Sequence, residues 1–149
     1  MPELIEVVTL VDAPPAVVFD LKLDVDVHAE SLAGSREVAS TSTGRRRLGL
    51  GDEVTFQARH FGLRWRLTSR ITAYDAPHRF VDEQIRGPFR TLHHEHIFEA
   101  LGADRTRMID RMTISAPLAA MLLAPYLRRL LKRRGAHVKR LAEGRSGDR

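Results

Sequence analysis

The chain has 149 residues, 43% of them hydrophobic and 29% charged, the composition of an ordinary globular protein and not of a disordered one. Its formal charge is +5, and all but three of the 24 basic residues are arginine, a bias that reads as a coding habit of the source genome, so no specific nucleic-acid binding is expected. With no cysteine, disulfides, thiolate zinc sites and cysteine nucleophiles are excluded.

Met1-Pro2-Glu3 opens without a basic or apolar leader pattern, so a cytoplasmic protein is expected. Leu4 to Val11 is rich in β-branched residues and has the length of a strand. Asp12-Ala13-Pro14-Pro15 stops it and leads through proline into a short helix striped by Val17, Val18 and Leu21. A second short helix is predicted over Val25 to Leu32. Between Gly34 and Gly51 the pattern weakens: Arg36 to Ser40 reads as an edge strand, and Thr41 to Arg47 as a polar turn.

From Asp52 the period changes to two. Val54, Phe56 and Ala58 alternate with charged or polar neighbours; after a turn at Phe61-Gly62, so do Trp65, Leu67, Ser69, Ile71 and Ala73. The alternation continues through Arg79 to Arg86, Arg90 to Ala100 and Arg105 to Ser115. Short turns at Asp75-Ala76-Pro77, Gly87-Pro88 and Gly102-Ala103-Asp104 make this an antiparallel meander, dry on one face.

Ala116 to Leu127 is too short and too broken by proline to span a bilayer, so no transmembrane segment is expected. A turn from Leu118 precedes a long helix beginning near Pro125, with Leu123, Leu127, Leu130, Leu131, Val138 and Leu141 on one stripe. Arg128-Arg129, Lys132-Arg133-Arg134 and Lys139-Arg140 form its basic outer face, solvated or in weak contact with an acidic membrane surface. A sheet dry on one face must bury it, and this helix is the only long element available. The expected fold is therefore α+β: a curved antiparallel sheet of about six to seven strands wrapped around the C-terminal helix, with two short helices after the first strand. One domain over residues 1–143 and a frayed tail over 144–149 are expected.

The element order, with Asp12-Ala13-Pro14-Pro15-Ala16-Val17-Val18-Phe19-Asp20 after the first strand, resembles the START-like (SRPBCC) superfamily of helix-grip proteins. Leu50-Gly51-Asp52-Glu53-Val54, Phe80-Val81-Asp82-Glu83-Gln84, Gly87-Pro88-Phe89 and His94-Glu95-His96-Ile97-Phe98 look like a bacterial cyclase/dehydrase-like, ligand-binding branch. The resemblance covers about residues 3 to 142. It implies a helix-grip fold with an internal pocket; it does not choose among carriers, polyketide cyclases and proteins of other roles. Leu92 stands where the pattern favours an aromatic residue, which alters such a pocket without removing it.

Read with period two, Leu92, His94, His96 and Phe98 face inward, as do Met108, Asp110, Met112 and Ile114 on the next strand. With the hairpin centred on Gly102, His94 falls opposite Asp110, with Cβ atoms about 4.5–5.5 Å apart. Phe80, Asp82 and Gln84 point inward from the preceding strand. Asp82, Gln84, His94, His96 and Asp110 thus form a polar patch inside a container walled by Phe56, Trp65, Leu67, Ile71, Phe80, Leu92, Phe98, Met108 and Met112. A buried carboxylate is costly unless paired. The patch can serve as a structural His–Asp network, as a means of orienting a ligand's carbonyl or hydroxyl, or as acid–base machinery in which His94 or His96 moves a proton and Asp110 fixes a tautomer. Histidines two apart on a strand can also share a zinc ion, with Asp110 or Asp82 as a third donor; the resembled superfamily is not generally metal-dependent, so neither metal nor cofactor is expected.

The function expected is binding of a small hydrophobic molecule, polyketide-, lipid- or aromatic-like, as carrier or sensor. A cyclase/dehydrase-type enzyme and an interaction protein with a closed core are the alternatives.

Overall fold

The computed structural model describes residues 2–31 and 37–147. Strand β1 (Glu3–Val11) is followed by helices α1 (Pro15–Leu23) and α2 (Val25–Glu30), then β2 (Val38–Thr41), β3 (Glu53–His60), β4 (Leu63–Asp75), β5 (Arg79–Arg86), β6 (Thr91–Ala100) and β7 (Thr106–Ser115), and finally α3 (Leu118–Met121) and α4 (Ala124–Gly147). The strands form one antiparallel sheet in the order β1-β7-β6-β5-β4-β3-β2. Pro15 at the start of α1 sacrifices no hydrogen bond there, and Asp24 caps α2 by accepting from the Asp26 and Val27 amides.

Helix α4 packs along the β1 edge of the sheet. It crosses β1 at Gly135, where a β-carbon would stand 2.6 Å from Thr9 Oγ1. On either side of that crossing Arg128 and Lys139 donate to the Glu6 and Leu10 carbonyls, edge groups that have no strand partner. The core forms two apolar clusters: one joins α1 and α2 to Phe80, Phe98, Met108 and Val138, the other joins β1 to Leu92, Ile114, Ala124 and Leu131.

Period-two alternation runs along the meander as expected, with local corrections. A bulge between Ile71 and Ala73 reverses the phase at the end of β4, so Tyr74 packs against Phe19 where Ala73 was expected inward. The edge strand falls at Val38–Thr41, further along the chain than Arg36 to Ser40, and α2 ends at Glu30; Leu32 and Arg36 lie outside the described residues. Helix α4 runs to Gly147. Arg134, expected on the basic outer face, is turned into the protein and paired with Glu37.

Candidate functional site

A cavity of about 200 Å³ lies between the two apolar clusters. Its walls include the expected Phe56, Trp65, Leu67, Ile71, Phe80, Leu92 and Met112, and Asp82, His94 and His96 line it as well. Four expected residues are elsewhere, Asp110 among them, on β7 opposite His96. Phe98 and Met108 are buried in the α1-side core, Phe98 edge-on to Phe19, because α1 packs over that end of the dry face. Gln84 is spent on the β5–β6 turn, where its amide donates to the Phe89 carbonyl and accepts from the Phe89 amide.

The β6–β7 register differs from the expected one by a two-residue shift: His96 stands opposite Asp110, and His94 opposite Met112. A shift of two preserves the face, so every inward residue stays inward. His94 still reaches Asp110 diagonally, Nε2 to Oδ1 at 2.9 Å. On the other side β5 places Asp82 opposite His94 and Phe80 opposite His96. His96 Nε2 lies 2.6 Å from Asp82 Oδ2, and its ring is stacked between Phe80 and His94.

The sequence reading missed Lys22. From α1 it donates to Asp110 Oδ1 at 2.7 Å, its side chain almost as buried as the carboxylate. Helical spacing carried the signal, since Lys22 falls on the Val18–Leu21 stripe and not opposite it. Burial by itself would raise the pKa of Asp110; the Lys22 ammonium and the His94 hydrogen bond hold it well below the usual carboxylate range. Asp82 is likewise kept low against burial by its bond to His96. Burial, reinforced by the adjoining His96, pushes His94 down to about 4, so its imidazole is neutral at pH 7. The polar end of the cavity therefore holds two carboxylates, one ammonium and a neutral His94, with Asp110 behind the histidines and away from the cavity wall.

A second polar group, also missed, lines the cavity as well. Glu37 accepts from Arg134 at 2.8 Å and its Oε1 lies 2.8 Å from His28 Nδ1, and His28 stacks on Phe56. Position 134 shares the α4 stripe with Leu127, Leu130, Leu131 and Val138, so the spacing again held the clue. Near Tyr126, whose hydroxyl bonds His60 Nδ1 at 2.6 Å, Phe61 lies 63% exposed with its ring centroid 4.7 Å from that of Tyr126.

A curved antiparallel sheet gripping a C-terminal helix around an internal cavity defines the helix-grip class. Residues 3–143 match the family described as polyketide cyclase / dehydrase and lipid transport, and the chain belongs to that family. No curated protein matches its sequence. Among solved structures it resembles TTHA0849 from Thermus thermophilus (20% identity, TM-score 0.70, covering 91% of this chain and 97% of that one). It also resembles the Zhui aromatase/cyclase from Streptomyces sp. R1128 (17%, TM-score 0.70, 99% and 94%). A norcoclaurine synthase point mutant from Thalictrum flavum, in complex with a transition-state analogue, superposes at TM-score 0.78 with 12% identity, covering 98% and 97%. At these identities the likeness concerns the fold.

Proposed function

We propose that the protein binds a small hydrophobic molecule bearing one hydrogen-bonding group, as a carrier or sensor. The observation that carries this reading is the cavity itself, whose apolar walls end on the Asp82–His94–His96 cluster. Its volume of about 200 Å³ is below the roughly 300–1,000 Å³ typical of drug-sized ligands, which favours a molecule of one or two rings over a long-chain lipid. Asp82 can accept from a ligand hydroxyl, and a histidine N–H can donate to a carbonyl. Among the described residues no helix is long and apolar enough to cross a membrane. On α4, Arg134, Arg128 and Lys139 are bonded within the protein, leaving Arg129, Lys132, Arg133 and Arg140 exposed as a solvated face that supports at most weak contact with an acidic surface.

Trp65, the chain's single tryptophan, lines the cavity and anchors its indole N–H to the His60 carbonyl, so it reports on occupancy. Titration with one- and two-ring phenols and aromatic ketones should quench its fluorescence, and native mass spectrometry of gently purified protein should retain a ligand. A flat response to the whole panel, with no retained mass, would support a closed core.

A second reading, acid–base chemistry of the cyclase/dehydrase type, is favoured by the neutral His94 held between Asp110 and Asp82. If it is right, the protein should catalyse deuterium exchange at an acidic C–H of a bound ketone, and His94→Gln should abolish exchange while the ketone still binds.

A further inference from the structure

With a neutral His96 the hydrogen bonds of the polar cluster do not close. If the His96 proton is on Nε2, it serves Asp82, and Nδ1 then presents a lone pair to Asp110 Oδ1 at 3.3 Å; with the proton on Nδ1, two acceptors face each other at 2.6 Å. His96 Nδ1 and Asp110 Oδ2 are both buried without a hydrogen-bond partner. A cation in place of the missing proton resolves this, because each histidine then turns a lone pair to the cation and an N–H to Asp110.

We propose that Asp82, His94 and His96 form a three-ligand site for a divalent transition-metal ion of the zinc type, with Asp110 as the carboxylate that orients both histidines and Lys22 as its counter-ion. One donor atom from each of Asp82, His94 and His96 lies within 4.8 Å of the other two. Asp82 Oδ2 is 2.6 Å from His96 Nε2 and 4.0 Å from His94 Nδ1. In a tetrahedral site with bonds of about 2.1 Å, donors stand about 3.4 Å apart. A swing of the Asp82 carboxylate toward His94, with a small tilt of the stacked rings, brings both distances near that value. Asp82 is the least buried of the three, with its side chain 19% exposed. The far nitrogens of both rings already face Asp110, at 2.9 and 3.3 Å, the outer carboxylate–histidine arrangement that metal sites use to set tautomer and ring orientation. All three ligands line the cavity, so the fourth coordination position opens onto it. A ligand carbonyl or phenolate oxygen would complete the shell there. The charge balance agrees: Lys22 offsets Asp110, which leaves the Asp82 carboxylate for the cation.

The probe is the metal alone, so the test does not depend on whether an organic ligand is ever found. Chelator-stripped, untagged protein is titrated with Zn²⁺ by calorimetry and with Co²⁺ by visible absorption. The expected result is one ion per chain and the intense bands of four-coordinate Co²⁺. Asp82→Asn or His96→Gln should weaken binding at least 100-fold and Asp110→Asn by about 10–100-fold, while His93→Gln, on the opposite face of β6, leaves it unchanged. Should the buried variants fail to fold, nitrogen-15 spectra of the wild-type histidines decide: Zn²⁺ must shift His94 Nδ1 and His96 Nε2. Absence of stoichiometric binding, metal affinity that survives Asp82→Asn, or ring signals indifferent to Zn²⁺ would overturn the site. Trp65 quenching without metal binding would leave the pocket reading standing and remove this one.

Discussion

Asp110 is fully buried and joined to both Lys22 and His94, so its removal leaves an ammonium in the interior without its counter-charge. Asp110→Asn should therefore cost about 3 kcal/mol in urea unfolding, the low end for breaking a buried pair. Glu95, adjacent in sequence to both histidines, is on the outer face, where Arg79 and Arg111 approach it from neighbouring strands. Glu95→Gln should cost under about 1 kcal/mol. Equal sensitivity at the two positions would place the site on the wrong side of the sheet. Phe61 offers a contrasting case. It holds φ at +56° in the two-residue turn before Gly62, a conformation suited to asparagine, and its ring leans on Tyr126 beside the cavity. Phe61→Asn should raise stability by about 1 kcal/mol by relieving the left-handed backbone and should weaken the binding of aromatic probes measured through Trp65. A loss of stability in the variant would show that the Phe61–Tyr126 contact outweighs the strain.

At the scale of elements, Glu37, Arg134 and His28 tie α2 and the segment entering β2 to α4. Burial and the Arg134 charge push His28 down to about 4. Burial by itself would raise Glu37, but the His28 bond and the Arg134 guanidinium hold it at about 2. Both folded values are below the unfolded ones. For His28 the unfolded chain takes up its proton first, near 6.5, so stability declines as pH falls from there toward 4; for Glu37 the contribution present above about 4.5 is lost as pH falls toward 2. Unfolding free energy should thus decrease continuously from pH 7 into the acid range. Glu37→Gln should flatten the part below pH 4.5 at the expense of stability at neutral pH. An acid limb unchanged by that substitution would rule out this cluster as the clamp.

For the whole molecule, the positive charge is spread over many partly neutralised groups. Outer-face arginines such as Arg70, Arg79, Arg107 and Arg111 pair with acidic side chains on neighbouring strands. Binding to random-sequence DNA should therefore be weak at low salt and absent near 0.15 M, as expected when only scattered phosphate contacts form. Fluorescence anisotropy across a salt series checks this, and sequence-selective binding that persisted in physiological salt would contradict it.

The element order, the period-two meander and the face assignment of His94, His96, Asp82 and Asp110 were legible in the amino-acid sequence, because alternation in a half-buried strand records which side meets water. The grip of α4 followed from elimination, one apolar stripe being available for one dry face. Three things required the tertiary structure. The β6–β7 register was decided by the geometry of the turn, which can move pairing by two residues without disturbing the hydrophobic pattern. The bulge in β4 reversed the phase at Tyr74, since one extra residue in a strand leaves no mark in composition. Lys22, His28, Glu37 and Arg134 meet the cavity only through packing between elements remote in sequence. Helical periodicity puts Lys22 and Arg134 on their stripes, but a long cationic side chain on a stripe reads as solvated until the carboxylate that receives it, Asp110 or Glu37, is brought across from another element.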